Sequence, residues 1–331
     1  MMKQEQIDQW KKTRHETKER RLSQICKVYK LKIDKSHLSL DKLDHLNKLF
    51  LEAKWLYNDI LSQESIFNYN TKSKQVVVLN KDREKEVRDL DILSSQMRQG
   101  IKDRLYDSIK ALSRKKKKGS KIGRLKFKSR INSIPLQQYD CTYRIRPHKK
   151  YIRIQGFKRD LKILGFNQIP EEAEPTSAML IRRQNDYYIN ITCFLPKENK
   201  VFKEKSIGID FGIKDSLTLS NGEKFKVNIG ESKRIKQLQR ELSKKVKGSN
   251  NRYKIRTNLE KSYYKIVCQK KEARNKIVSY ITNTFETVCI QDESIKEWHS
   301  GWFGKQVQHS ALGGIMSDLK RKILSSKRRS K

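Results

Sequence analysis

The sequence predicts a multidomain α+β protein in which a small β-barrel and a block of helices precede a separate α/β domain. Three observations predict it. Between residues 143 and 195 apolar residues alternate in short runs separated by turn residues, as in a small barrel. In 38–61 and 83–113 the apolar spacing changes to three and four, which buries one face of a helix. From Ser206 onward a strand–turn–strand, two long helices and a further strand follow one another.

Composition narrows the partners. A chain of 331 residues has room for two or three domains. Its 76 Lys and Arg against 37 Asp and Glu give a net charge of +39. Charge of that size repels itself unless a polyanion neutralises it, which a nucleic acid does and a small acidic metabolite does not. No apolar run approaches the ~20 residues of a spanning helix, and no stretch forms an apolar membrane anchor. The five cysteines, Cys26, Cys141, Cys193, Cys268 and Cys289, are scattered and never form C-x-x-C. They predict reduced thiols in a cytoplasmic protein, with neither a disulfide framework nor a zinc ribbon. The N-terminus lacks the apolar core of a signal peptide.

Taken in order, residues 1–22 are polar and basic, and predict a solvated helix or an arm that orders on nucleic acid. Residues 23–36 hold a strand, with Cys26, Val28, Leu31 or Ile33 inward and lysines outward. Residues 37–118 are helical. The first stripe comprises Leu43, Leu46, Leu49, Phe50, Ala53, Leu56, Tyr57 and Ile60, with Trp55 in the core. The second, from Arg83 to Ser113, comprises Val87, Leu90, Leu93, Met97, Ile101, Leu105, Ile109 and Leu112. Lys74–Leu79 between them is ambiguous, with a loop as one of its readings. Arg114 to Arg130 then holds ten basic residues and no acid. Its cations are Arg114, Lys115, Lys116, Lys117 and Lys118, then Lys121, Arg124, Lys126, Lys128 and Arg130. With Phe127 able to stack, they suit a phosphate-backbone track.

Residues 119–200 carry the barrel strands, with turns at Pro147-His148, Gly156, Pro170, Pro175 and Asn185-Asp186. Tyr143, Tyr151, Tyr187 and Tyr188 are expected in the core or on strand surfaces and are assigned no role. Residues 201–331 form the last domain. In its first strand Asp210 stands alone among apolar residues; a buried carboxylate of that kind is a metal ligand or is paired. A tight turn at Gly212 and the pair Asn221-Gly222 complete a hairpin. Two helices in 231–281 break at Gly248-Ser249-Asn250-Asn251, and Ile235, Leu238, Leu242 and Val246 give the first its stripe. Residues 231–280 hold sixteen basic and four acidic residues. Lys233, Arg234, Lys236 and Arg240 on the first helix are candidate phosphate contacts. So are Lys244, Lys245 and Lys247 at the break, and Arg252, Lys254 and Arg256 beyond it. Phe285–Ile290 is a strand leading into Gln291-Asp292-Glu293. The Gly-rich connection with Trp298, His299, Trp302, Phe303 and His309 either packs or closes over a nucleic-acid strand. A last helix carries Val307, Ala311, Ile315, Leu319 and Ile323 and ends in the basic tail Ser325–Lys331.

The stretch IGIDFGIKDSLTLSNGEKF (Ile207–Phe225) resembles the first motif of the RuvC-like, RNase H-fold domain of TnpB, the transposon-encoded RNA-guided nuclease related to type V CRISPR effectors. KKVKGSNNRYK, VCIQDESIKEW (Val288–Trp298) and GRLKFKSR (Gly123–Arg130) extend the resemblance in the same order. It implies a wedge barrel that holds guide RNA and helps read a short flanking motif, with an inserted helical recognition lobe and then a RuvC-like domain. It implies guide RNA and target double-stranded DNA as partners, in a bacterial, nucleoid-associated setting, with one or two copies per RNA left open. It also implies Asp210 as the first catalytic acid, and Gln291 or Glu293 at the second acidic position; Glu293 is the one carried over.

A family member continues into a further strand, a zinc ribbon and a third acidic motif, which this sequence does not reach. The expectation is therefore a C-terminally truncated RuvC-like domain, with Asp210 and Glu293 as remnants. Mg²⁺ would be held weakly at most, since two-metal cleavage needs several carboxylates. Asp215, Asp292 and Asp318 are possible substitutes. The resulting expectation is guide-directed DNA binding without cleavage, as in TnpB-like nuclease-dead repressors. The alternatives are an active Mg²⁺-dependent endonuclease and a guide-independent RNA-binding or architectural protein.

Overall fold

In the computed structural model the described residues are 4–80, 82–146, 150–183, 186–197, 202–291 and 293–327. They fall into two units, residues 1–197 and 198–331. The first begins with α1 (Gln4–Leu22), a helix that buries no side chain, consistent with its lack of an apolar face. Arg21 ties its end to Glu174 at 2.9 Å. β1 (Gln24–Ile33) follows. Only Leu31 and Ile33 are buried on it; Cys26 and Val28 are exposed. Of the four candidates for the inward face, the structure takes Leu31 and Ile33 and leaves Cys26 and Val28 outside. Residues 31 and 33 share a face, and period two places 26 and 28 on the other.

Helix α2 (Leu40–Ser62) starts at Ser39, whose side chain accepts from Lys42 N, and buries its stripe from Leu46 to Ile60. The next segment departs from the sequence reading. Lys74–Leu79 is not a loop: β2 (Gln75–Leu79) pairs antiparallel with β3 (Lys85–Asp89). The second helix, α3 (Ser95–Lys117), starts only at its Ser94 cap. Val87 and Leu90 repeat at helical spacing, but the β-branched run Val76-Val77-Val78 pairs across and claims that length as a hairpin.

The remaining strands of this unit are β4 (Ser133–Leu136), β5 (Tyr143–Arg146), β6 (Tyr151–Ile154), β7 (Leu161–Leu164), β8 (Glu174–Arg183) and β9 (Asp186–Pro196). With β1 they form a seven-stranded sheet in the order β4-β8-β9-β1-β7-β6-β5. Tyr139 draws its two edges together, donating to Thr176 O on β8 at 2.9 Å and bridging to Tyr143 on β5. The sheet is nearly closed. The elements from α2 to α3 thus lie in sequence between one sheet strand, β1, and all the others. β4 was missed by the sequence reading, because its four residues include Pro135 and show no alternation. Of the four tyrosines, Tyr143 and Tyr187 are buried, and Tyr151 and Tyr188 half-buried. The turn residues Pro147, His148 and Asn185 lie outside the described residues.

The second unit has a four-stranded sheet, in the order β12-β11-β10-β13, made of β10 (Glu204–Phe211), β11 (Leu217–Leu219), β12 (Lys224–Phe225) and β13 (Phe285–Ile290). β10 and β13 run parallel. Between them come α4 (Lys233–Ser243) and α5 (Asn250–Thr284), separated at the Ser249 cap. Ile207, Ile209 and Phe211 pack with Ile277, Val278 and Ile281 of α5. The helix that closes this core is α8 (Leu312–Lys327), through Leu312, Ile315 and Leu319. Val246, placed in the α4 stripe from sequence, is exposed beyond the helix end. The expected Gly-rich connection contains two short helices, α6 (Ile295–Ser300) and α7 (Gly304–Ser310). No helix among the described residues is long and apolar enough to cross a membrane.

Candidate nucleic-acid interface and acidic site

The first unit brings much of the basic run into one place. Arg114, Lys115, Lys116 and Lys117 form the last turn of α3, where cations oppose the negative end of the helix dipole. Lys118 caps that turn through its backbone N–H. Lys121 and the residues to Arg130 run without regular structure, all exposed except Leu125. The Asn58 side chain fixes this strap, accepting from Lys128 N at 2.8 Å and donating to Lys128 O at 2.9 Å. Between strap and helices lies a cleft of about 510 Å³ lined by Arg104, Arg124, Lys126, Phe127, Lys128 and Arg130, with Tyr57 and the edge of α3. No acidic side chain is among its lining residues. Phe127 is 64% exposed, leaving its ring face available for stacking.

Three of these residues were not foreseen. Asn58 and Tyr57 act on the strap from α2, and Arg104 from α3. Arg104 Nη1 donates to Ser133 O at 3.2 Å and to its hydroxyl at 3.1 Å. Lys128 Nζ lies 4.0 Å from the centre of the Tyr57 ring. Although the residue as a whole is exposed, desolvation of the ammonium over the ring, and then repulsion from Arg104, hold Lys128 below the ordinary lysine range. An incoming phosphate would supply the counter-charge that offsets the repulsion from Arg104. The signal available in the sequence was a cation, Arg104, set between the core positions Ile101 and Leu105 of a helix.

In the second unit, the α4–α5 hairpin leaves Lys233, Arg234, Lys236 and Arg240 exposed, along with Lys244, Lys245, Lys247, Lys254 and Arg256. Arg252 differs from the rest. Its Nη1 donates to Leu242 O and to Lys245 O, at 2.5 and 2.8 Å, so it caps the C-terminal carbonyls of α4. Arg256 is engaged by Glu260 at 3.1 Å.

Asp210 sits on β10 opposite Thr218 of β11. The burial cost expected for it does not arise: its neighbours Ile209 and Phe211 point into the core, and Asp210 points outward and is exposed. Among the described residues it has no hydrogen bond or ion pair. The parallel register aligns Ile209 with Ile290, the last residue of β13, and exposed Gln291 follows it outside the strand. Glu293 follows beyond the strand end, half-buried, its carbonyl accepting from Ile295 N. The ends of adjacent parallel strands are where open α/β sheets bind ligands.

Of the substitute acids, Asp318 is committed elsewhere. It joins α5 to α8 through an ion pair with Arg274 Nε at 2.5 Å, and pairs with Arg321 at 2.8 Å. Asp215 lies 4.0 Å from Lys224 Nζ, and Asp292 is outside the described residues. Divalent cations that cut phosphodiesters need several hard oxygen donors at one point. Among the described residues no three His, Cys, Asp or Glu side chains gather in that way. The described donors alone do not complete a two-metal centre.

Residues 180–297 match the family OrfB_IS605, described as a probable transposase. A putative RNA-guided DNA endonuclease of Streptomyces pristinaespiralis is 26% identical over 212 residues, which cover 53% of each chain. The putative RNA-guided DNA endonuclease InsQ of Escherichia coli K12 is 28% identical over 121 residues, 36% of this chain and 30% of that one. The aligned parts thus span about half of the first relative and under a third of the second. A cryo-EM structure of a Cas12f1–sgRNA–target DNA complex aligns over 91% of this chain and 87% of that one, at 12% identity and a TM-score of 0.47. The stretch that matches the OrfB_IS605 model holds the β10–β13 sheet, Asp210 and the basic α4–α5 hairpin.

Proposed function

We propose that this chain is an RNA-guided, sequence-specific double-stranded DNA-binding protein that grips its target without cutting it, and so represses transcription by occupancy. The observation that carries the reading is the parallel register of β10 and β13, whose last aligned pair is Ile209 and Ile290, so that Asp210 and the neutral amide Gln291 are the residues that come next on each chain segment. An amide there adds no charge to hold a divalent cation, while the cationic surfaces that hold a phosphate backbone are untouched by the exchange. Guide pairing would select the sequence, and the protein would hold the heteroduplex by shape and charge. Loss of cutting then leaves binding intact.

The second reading is an active endonuclease, favoured by what the two relatives are named for. One experiment separates the two. RNA that copurifies with the protein is sequenced, and a plasmid carrying the matched target is incubated with the complex and Mg²⁺. The expected result is a shifted, intact plasmid, with binding abolished by mismatches near the flanking motif and unchanged by Asp210→Ala. Nicked or linear plasmid that Asp210→Ala prevents would establish the endonuclease reading. Equal affinity for matched and mismatched DNA at fixed salt would leave only a guide-independent binder.

A further inference from the structure

Helix α1 stands apart from the rest of the first unit, because it buries no side chain along its 19 residues. Its hold on the unit is confined to its C-terminal end. Arg21 donates to Gln24 at 2.5 Å and to Glu174 at 2.9 Å, and its guanidinium lies 3.8 Å from the centre of the Phe194 ring. Just beyond, Lys197 N donates to Ser23 O at 3.2 Å. Among the described residues, no hydrogen bond or ion pair joins the side chains of residues 4–19 to anything outside α1. A lone helix of that length is marginal in water, and packing of one face usually supplies what is missing. Here every face is left open.

The charges on the helix are sorted by face. At about 100° per residue, Lys11, Arg14, Lys18 and Arg21 fall within an arc of about 80°. Glu5, Asp8, Glu16 and Glu19 fall within a second such arc, centred about 140° from the first. Of the other two cations, Lys12 lies among the acids and Arg20 turns aside to Glu174 at 3.4 Å. Ile7 and Trp10 accompany the basic arc. Trp10 is 57% exposed, with the Arg14 guanidinium 5.4 Å from its ring centre. Two apolar side chains do not make the broad face of a membrane-lying helix. Lys11 touches Asp8 at 3.3 Å, a surface pair that holds it weakly. With Arg21 held in the clamp, Lys11, Arg14 and Lys18 are the cations left on the face, spaced by about 4.5 and 6 Å along the axis.

Such a face calls for a polyanion, and its shape restricts which. The helix is a rod about 28 Å long and about 10–12 Å across, which the major groove of B-form DNA, about 12 Å wide, admits. The major groove of A-form RNA is too deep and narrow for side chains to read, and a guide–target hybrid is A-form as well. The groove that fits is therefore that of DNA still paired with itself. We propose that α1 is a DNA-docking helix that lies in the major groove of duplex DNA flanking the guide-paired stretch and holds its phosphates through Lys11, Arg14 and Lys18. This rests on the reading of the chain as an RNA-guided DNA-binding protein. The acidic arc then faces away from the DNA.

The test uses the full chain with its copurified RNA, and a matched target duplex carrying about 20 base pairs of flanking DNA on each side, two helical turns. Lys11→Gln/Arg14→Gln/Lys18→Gln keeps good helix formers at each position. It should lower the slope of log affinity against log salt by about 2 to 3, and weaken binding about tenfold. The loss should vanish on a duplex trimmed to the guide-paired stretch, which offers α1 no flanking groove. Glu5→Gln/Glu16→Gln, on the far face, should stay within about threefold of wild type. An unchanged slope in the triple variant, an equal loss on the trimmed duplex, or loss of the copurified RNA in place of DNA affinity would each overturn the proposal. A larger effect from the acidic pair than from the triple change would place the helix against the protein's own cations, and would overturn it too. The guide-directed reading fails separately, if the wild type binds matched and mismatched DNA equally; the slope change in the triple variant is read independently of that result.

Discussion

Lys128 holds its ammonium over the Tyr57 ring on the wall of an acid-free cleft, and desolvation followed by repulsion from Arg104 depresses its pKa. A lysine with a lowered folded pKa binds its proton less tightly in the native state than in the unfolded chain. Stability therefore rises as pH climbs from the folded value toward the ordinary one, near 10.4. Phosphate binding works in the opposite direction, since it favours the protonated amine. Affinity for a single-stranded oligonucleotide should accordingly fall as pH rises through the depressed range, before ordinary lysines begin to titrate. Lys128→Arg should flatten that fall, because arginine stays charged throughout. Fluorescence anisotropy from pH 7 to about 10 reads both curves. If the arginine variant falls as steeply as wild type, Lys128 is not the group responsible.

The helices and hairpin between β1 and β4 show how far periodicity carries an inference. α2 was legible because Leu46, Leu49, Ala53, Leu56 and Ile60 repeat on one face with nothing competing. β3 was not, because Val87, Leu90 and Leu93 repeat at three and imitate a helix. Cross-strand pairing with the valines of β2 and the stop at Ser94 settled the difference, and neither is a property of a single window. Glu52 was equally hidden, a charge inside an apolar stripe. Fully buried, it accepts from the backbone N–H groups of Asp91, Ile92 and Leu93 at 3.1, 3.0 and 2.9 Å, fixing the link from hairpin to α3. Arg98 holds the same link from the other side, donating to Leu93 O at 2.6 Å and to Thr71 O at 2.9 Å. The acidic site was legible only in part. Motifs pointed to Asp210 and to Gln291 or Glu293, but that β13 ends at Ile290, level with Ile209, follows only from strand register. Glu52→Ala leaves two buried donors and one part-buried donor unmatched, so it should cost roughly 3 kcal/mol. Glu52→Gln, which keeps an acceptor oxygen, should cost less. A urea midpoint unmoved by Glu52→Ala would show that the link does not depend on this carboxylate.

At the scale of the whole molecule, the excess of cations has to be divided between those that face solvent and those that hold the fold. Sequence treats Lys244, Lys245, Lys247 and Arg252 as one cluster, yet the structure separates them. The three lysines are exposed, while Arg252 is spent on the carbonyls ending α4. Phosphate contacts release counterions, so each lysine that touches the backbone adds about 0.7 to 0.9 to the slope of log affinity against log salt. Replacing all three with Gln should lower that slope by about 2 to 3 and weaken matched and mismatched DNA alike, because phosphates carry no sequence. Arg252→Gln should leave the slope within about 1 of wild type. Its cost should instead appear as a lower thermal midpoint, since the end of α4 loses its two acceptor contacts. Binding titrations across a salt series, run beside thermal melts, separate the two behaviours. A triple Gln variant with an unchanged slope would mean that the turn between α4 and α5 stays in solvent when DNA is bound, and that the backbone is held by other cations.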